Sequence, residues 1–396
     1  MASRPPLFSR RQLNILIMVT GVVIALLSIP SEPWPQIERV QIQQVPLSTI
    51  SSDDHPAELR LSFALPRPAL LPTAPEQILW QLLKQRLEQA TTAFQVSLYR
   101  DRISIAVTAS PSGELLEALQ QLPPLLTEVF TEEALNHGID KLRAQRYLQR
   151  NNPAPLEAAD RWVRQQQADD SLANALTPTA ITRLQQQLFS RAQLRISLVS
   201  LAQEPIIAAL NNTLQQFNSE LTWDENPQPK SISATTIAGD LSPVVALQTL
   251  PGRASSDFPG TLLLSRILAD LGPELTIRLH PNKDQSWLVW LTTTPNAQYD
   301  ISGQIQRMQQ RLAELKDWEL ERAADDLREL LQQRLQEPEA LAEQLEVIAF
   351  YQLPVDYLTQ FEATIAALSR TEIRQQLQHL LQPANFSYPK ANALNP

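Results

Sequence analysis

Four histidines are the only imidazoles available for metal binding or acid–base work: His55, His137, His280 and His379. No two lie near each other in the sequence, so none forms a pair one helical turn apart that could grip a single ion. His55 precedes a proline, His137 precedes Gly138, His280 follows Arg278 in a predicted turn, and His379 falls on the last predicted helix. All four read as ordinary surface or partly buried side chains. The chain has no cysteine, which excludes disulfides, thiolate metal sites and cysteine nucleophiles. No Gly-x-Ser-x-Gly elbow occurs, and no serine has a histidine partner by motif. The carboxylate pairs Asp169–Asp170 and Asp325–Asp326 sit in helical, charged surroundings and read as solvated faces. Glu132–Glu133 reads as an acidic helix start, where negative charge suits the helix dipole. The residues therefore predict no catalytic centre, no metal site and no cofactor.

The elements that would position any site are repeated. The stretch Tyr351–Tyr388 parses as a turn at Leu353–Pro354, a helix over Tyr357–Ala367, a Ser369/Glu372 capping box, a helix over Ile373–Leu381, and a strand beginning at Phe386. Leu176–Ser197 carries a second version. Leu176 lies over Leu368, Ile181 over Ile373, Leu188 over Leu380 and Leu194 over Phe386, an offset of 368 − 176 = 192. Upstream, Leu142 matches Leu327, Ile103 matches Leu288, Leu79 matches Leu264 and Pro66 matches Pro251, an offset of 327 − 142 = 185. The seven-residue difference is one loop insertion. Two copies of one unit, each near the usual domain size, are expected.

Composition agrees with that count. The 396 residues leave room for about two domains, and 43% hydrophobic content is ample for two cores. The net charge of −9 and the lack of a basic stripe argue against a nucleic-acid surface. Only 8 glycines are present, which disfavours phosphate-cradling loops, while 31 prolines punctuate short elements. Leu13–Ile29 is a charge-free apolar run preceded by Arg4, Arg10 and Arg11. Its length just spans a hydrocarbon core, and the arginines predict a cytoplasmic N-terminus over residues 1–12. No convincing cleavage site follows, so a single-pass inner-membrane anchor at 13–29, with the body in the periplasm, is expected. Residues 30–55, with Pro30, Pro33, Pro35 and Pro46, read as a stiff tether.

Within the first unit, 56–217, strands are expected at Glu58–Leu65, Phe94–Tyr99, Arg102–Thr108 and Gln193–Ser200. Helices are expected over Pro75–Thr92, Gly113–Val129 with an interruption at Pro123–Pro124, Thr131–Gln149, Pro155–Ala175, Pro178–Phe189 and Pro205–Phe217. A polar linker at 218–242 leads to the second unit, 243–389, and a tail at 390–396. That unit reads as strand Val244–Thr249, helix Gly260–Leu271, a turn, strand Ser286–Thr293, helices Tyr299–Leu315 and Trp318–Leu335, and the closing stretch. The order predicts an α+β fold, with two antiparallel sheets and helices packed on one face of each.

The second unit resembles a known family. Leu262–Leu275 (LLLSRILADLGPEL), Arg278, Trp287–Val289, Trp318–Ala323 and the 351–388 stretch are similar in order and spacing to the repeated domain of the M16 metallopeptidases. This family includes pitrilysin, insulinase and the mitochondrial processing peptidases. The resemblance covers most of 243–388 and, more faintly, 57–200. It implies a zinc peptidase built on His-x-x-Glu-His with a distal glutamate, in which two histidines hold the ion and the glutamate activates water. That motif is missing, so the resemblance carries the architecture without the activity.

Some family members pair a zinc-bearing chain with one that lacks zinc. The resemblance therefore implies a catalytically inactive subunit that adds substrate-binding surface to an active M16 partner. The alternative is a stand-alone scaffold or chaperone-like module that binds protein or peptide. Arg278 falls near the family's substrate-holding arginine, and Trp287 falls near its tyrosine, where an indole cannot donate a hydroxyl to an oxyanion. The strand edge at Val244, Val245, Ala246 and Leu247, and its counterpart at Leu59–Leu65, are candidates for adding an extended peptide.

Overall fold

The computed structural model describes residues 34–52, 56–65, 73–109, 113–151, 176–219, 244–292 and 301–386. The chain enters the fold through a hairpin, Ile37–Ile42 (β1) and Val45–Ile50 (β2), closed by Gln43 and Gln44. Both glutamines are left-handed (φ 49° and 71°), the backbone that a two-residue hairpin turn demands. Glycine or asparagine usually fills such positions. Here tertiary bonds hold the Gln43 side chain: its Nε2 donates to Asn211 O at 2.8 Å, and Arg191 donates to its Oε1 at 3.0 Å.

Alternating runs extend this hairpin into a sheet. In Ala57–Ala64 (β3), Leu59, Leu61 and Phe63 face one way and Glu58, Arg60 and Ser62 the other, as the two-residue period of a strand requires. Phe94–Leu98 (β4), Arg102–Ala109 (β5) and Leu194–Val199 (β6) complete a six-stranded sheet in the order β1-β2-β6-β3-β5-β4. β2 and β6 run parallel and the other pairs are antiparallel. The sheet is therefore mixed rather than purely antiparallel.

Five helices build one core with its Leu59/Leu61/Phe63 face: Ala74–Glu88 (α1), Gly113–Thr127 (α2), Glu132–Asn151 (α3), Pro178–Leu188 (α4) and Gln203–Leu214 (α5). Ile78, Leu79 and Leu83 of α1, Leu119 of α2, Ile181 and Leu188 of α4 and Leu210 of α5 are almost fully buried there. α2 runs unbroken through Pro123 and Pro124. Pro123 has no N–H for the Leu119 carbonyl, which would be left without its helical donor. The Thr213 hydroxyl donates to that carbonyl instead, at 3.2 Å. Gln185 of α4 likewise donates to the Leu126 and Glu128 carbonyls at the end of α2.

The second sheet has three strands, Val244–Pro251 (β7), Leu275–His280 (β8) and Gln285–Thr292 (β9), in the order β7-β9-β8. Its helices are Phe258–Leu271 (α6), Ile301–Glu314 (α7), Asp317–Gln336 (α8), Pro338–Tyr351 (α9), Tyr357–Ala367 (α10) and Arg370–Leu380 (α11). The repeat offsets recur in the elements themselves. α3 and α8 begin 317 − 132 = 185 apart and end 336 − 151 = 185 apart. α4 and α11 begin 370 − 178 = 192 apart, and both open on a hydroxyl N-cap, Thr177 and Ser369. The short 3-10 turns Arg191–Gln193 and Pro383–Asn385 follow at the same 383 − 191 = 192. The pairing repeats too: Phe63 faces Ile103 as Gln248 faces Leu288, each position shifted by 185.

One helix breaks the expected layering. α9 lies in the second half of the sequence but packs on β2, β3 and β6 of the first sheet, on the face opposite α1–α5. Helices therefore cover both faces of that sheet, and the described residues from Ile37 onward form one compact unit. Three other expectations need correction. Residues 37–50, read as tether, carry strands β1 and β2: β1 pairs with β2, and β2 pairs with β6. Leu275–His280, read as a turn, is strand β8. β3, read as a peptide-accepting edge, is internal, with β6 and β5 on its two sides.

The inner-membrane localisation is also corrected: among the described residues no helix is long and apolar enough to cross a membrane. The anchor at 13–29 lies outside the described residues, as do residues 1–12, the helix at 155–175, most of the linker and the tail at 390–396.

Candidate functional site

A groove opens along β7. Gln248, Thr249, Leu250 and Pro251 line a cavity of about 640 Å³ together with Asp257, Thr261 and Leu264 beside β7 and Gln375, Gln376, His379, Leu380 and Asn385 across from it. Successive strand residues point to opposite faces. A cavity touching four in a row therefore runs along the strand's edge, not over one face. Among the described residues β7 pairs with β9 alone.

The groove floor is fixed by Gln248, which is buried. Its Nε2 donates to Leu380 O at 2.6 Å, and its Oε1 accepts from Trp290 Nε1 at 3.1 Å. Gly252 ends the strand against the β8–β9 turn, where an added Cβ would lie 2.3 Å from Asp284 C and Gln285 N. Only glycine permits that backbone approach. The walls offer amides, one exposed carboxylate (Asp257) and one exposed imidazole (His379). That set can hold polar and backbone groups; it contains no nucleophile with an adjacent base.

The candidate residues named from sequence separate in three dimensions. Val244 pairs with Leu291, and the β7–β9 register shifts between Val244 and Ala246, leaving Val245 at the irregularity. Ala246 and Leu247 are buried opposite Trp290 and Val289. None of Val244, Val245, Ala246 and Leu247 is among the residues that line the groove. Trp287 is only 8% exposed, and its position in β9 puts it on the same face as Leu247 and Val289. Arg278 is exposed on edge strand β8, opposite Val289. Neither Arg278 nor Trp287 lines the groove.

Among the described residues, one buried polar cluster was not visible in the sequence. It lies between the first sheet and α9. Glu346, 2% exposed, accepts from Arg102 Nε at 2.7 Å, from Ser62 Oγ at 2.8 Å and from Arg60 Nη1 at 3.2 Å. Arg60 also donates to Glu58 at 2.6 Å, Arg102 donates to Asp101 at 3.0 Å, and the Tyr351 hydroxyl donates to Asp101. The Arg102 guanidinium lies 4.1 Å from the Tyr99 ring centroid and 4.9 Å from that of Phe350.

Burial alone would push the Glu346 carboxyl up. The charge and hydrogen bond of Arg102, with Ser62 and Arg60, outweigh it and leave the group below the usual carboxylate range. Glu58 ends on the other side. Burial raises it, and Arg60 opposes this only in part. Burial and the neighbouring Asp101 together push the Tyr351 phenol upward. A carboxylate satisfied by two guanidiniums and a hydroxyl holds elements together and has no free lone pair aimed at a substrate.

No protein-family model matches the sequence, and no curated protein matches it. Solved structures do. The M16 peptidase inactive domain from Pseudomonas fluorescens superposes with a TM-score of 0.67 at 14% identity, over 88% of this chain and 96% of that one. The chain has the M16 peptidase fold. A protease from Helicobacter pylori matches with a TM-score of 0.73 at 12% identity, over 89% of this chain and 98% of that one. The periplasmic protease PqqL from Escherichia coli matches with a TM-score of 0.63 at 13% identity, over 92% of this chain but only 48% of its own length.

The zinc site expected of an active M16 peptidase does not fit these residues. His-x-x-Glu-His occurs nowhere in the 396 residues. Among the described residues no three His, Asp or Glu side chains come together to hold an ion. His137 is exposed on α3, His379 is exposed on α11, and His280 is half-buried on β8. His55 lies outside the described residues.

Proposed function

We propose that this chain is a catalytically inactive M16-fold subunit that supplies protein- or peptide-binding surface to a zinc-bearing partner of the same fold. One observation carries the reading: the fold is that of a metallopeptidase domain, and the whole sequence lacks the paired histidines needed to hold zinc. In this reading, residues 56–217 and 243–389 are two copies of one M16-like domain, and the β1–β2 hairpin widens the first sheet. The partner is suggested by proportion. The chain corresponds to 48% of PqqL, so an enclosure of that size would need a second half of this kind, which we assign to the partner.

The groove along β7 is the proposed place for an extended peptide. The β7 edge offers main-chain groups, and Gln375, Gln376 and Asn385 offer neutral polar contacts to its side chains. Since this chain alone builds the groove, a second reading is a stand-alone peptide-binding module.

Affinity purification of the chain from its native cells, followed by mass spectrometry and sizing of the complex, tests the two readings. The subunit reading expects a one-to-one complex with a chain bearing His-x-x-Glu-His. A monomer, or a complex with unrelated proteins only, overturns it. The groove is tested with a fluorescent extended peptide. Gln376→Trp, which fills the groove from an exposed position, should weaken binding at least tenfold, and unchanged binding would remove the groove from the account.

A further inference from the structure

One surface of α6 and α8 carries a patch that the groove and the charge cluster leave unused. Trp318, in the first turn of α8, is 53% exposed. Beside it a cavity of about 390 Å³ opens between the two helices, with Ile267, Leu315 and Leu320 in its lining. Two arginines and two aspartates line the same cavity: Arg266 and Asp270 on α6, Arg322 and Asp326 on α8. Residues four apart share one helix face, so each helix shows one cation and one anion in the same order. Neighbouring charges are already engaged: Asp317 accepts from Arg374 at 3.2 Å, and Glu321 pairs with Arg370. The four around Trp318 are not held in this way. Among the described residues Arg266 and Asp270 form no ion pair, and Arg322 meets only Asp326, at 3.9 Å with both side chains exposed.

The repeat shows that the fold does not require this patch. Glu133 stands in the first copy where Trp318 stands in the second, 318 − 133 = 185 apart. By the same offset Gln81 and Gln85 replace Arg266 and Asp270, and His137 and Lys141 replace Arg322 and Asp326. Gly138 lets α3 approach α1, since an added Cβ there would lie 2.9 Å from Ile78 Cγ2. Its counterpart, 323 − 138 = 185 further on, is Ala323, which has that Cβ and lines the cavity.

We propose that a second copy of this chain docks on the α6/α8 face in a two-fold contact centred on Trp318. A two-fold interface meets itself, so one patch must hold knob and hole and both signs of charge. This patch holds all of them. A half-turn reverses the order of charges along each helix, so the arginines of one copy fall opposite the aspartates of the other, and each indole enters the other's cavity. Tryptophan and arginine are also the side chains that dominate the energy of protein interfaces. A different protein would need a surface of complementary sign only, and would not call for a cation and an anion repeated on both helices. The inference concerns this chain's own surface and does not depend on whether it also binds a zinc-bearing partner.

Sedimentation velocity of the purified full chain tests this with a charge exchange. One variant carries Arg266→Glu and Arg322→Glu, which makes the patch acidic. The other carries Asp270→Lys and Asp326→Lys, which makes it basic. The parent chain is expected to form a dimer whose population rises with concentration. Each charge variant, folded by circular dichroism, should sediment as a monomer, and mixing the two in equal amounts should restore the dimer. Trp318→Ala should weaken the parent dimer at least tenfold. The mixing step separates loss of the contact from loss of folding, because misfolded chains would not pair again. A parent chain that stays monomeric at the highest concentration reached would overturn the proposal. So would charge variants that dimerise as the parent does, or a mixture that remains monomeric.

Discussion

The faces of the two sheets that point away from their helical cores share one register and differ in chemistry. At positions 185 apart, Ser62 stands where Leu247 stands, Arg102 where Trp287 stands, and Ser104 where Val289 stands. In the first sheet these residues are polar, and α9 brings the carboxylate of Glu346 to Ser62 and Arg102. In the second sheet they are apolar, and Leu247, Trp287 and Val289 are all buried. The backbone pairing is common to both halves, so it does not dictate what the face is made of. The difference teaches that alternation and register set the architecture, while the chemistry of a covered face is free to vary as long as its cover complements it. It also changes how Trp287 is read. Position for position it matches a charge-cluster arginine, and its burial makes it a packing residue.

Exchanging the two chemistries breaks the comparison most severely. Trp287→Arg removes a large buried side chain and leaves an unpaired guanidinium; the combined cost should be roughly 5 kcal/mol or more in urea unfolding. Glu346→Ala in the first half leaves Arg60 and Arg102 without their shared partner and should cost about 3–5 kcal/mol. Replacing Arg60, Arg102 and Glu346 together by apolar residues of similar volume should be neutral or stabilising by about 1–4 kcal/mol. That reversal of sign would show that the first sheet tolerates the apolar chemistry of the second. A triple variant weaker than Glu346→Ala would contradict the comparison.

The smallest expected effects are in pH. The carboxyl of Glu346 titrates below its unfolded value of about 4.5, so its contribution is present above pH 4.5 and is lost as pH falls through the folded value. Unfolding free energies measured from pH 7 down to pH 3 should therefore fall less steeply for Glu346→Gln than for the parent chain. Glu58 has the opposite sign. Its raised carboxyl costs stability as pH rises above about 4.5, so Glu58→Gln should change stability at pH 7 by roughly 1 kcal/mol or less.

Much of the fold was legible because it depends on short-range pattern. The alternation in β3 and β5, the capped helices α4 and α11, and the 185 and 192 offsets are all periodic features. Four elements were missed for physical reasons. β1 and β2 are turned by glutamines instead of the usual turn residues, and their support from Asn211 and Arg191 is tertiary. β8 is six residues long and carries Arg278 and His280, which gave it the look of a turn. α9 buries a glutamate, so its own sequence does not announce which face is inward; the residues that make Glu346 tolerable lie in the other half of the chain. For the same reason the charge cluster was invisible. The groove was not visible: the β7 residues named from sequence, Val244–Leu247, precede the Gln248–Pro251 lining, and Gln375, Gln376 and His379 join it only through packing of α11.

The central claim is that an M16 fold without zinc ligands works by supplying binding surface. The most direct measurement is the kcat/KM for peptide hydrolysis by the co-purifying zinc-bearing chain, with and without this one. The account predicts that this chain alone cleaves nothing, and that adding it at one-to-one ratio raises the partner's kcat/KM at least tenfold. Hydrolysis by this chain alone, or a partner whose rate is unchanged by it, would contradict the account.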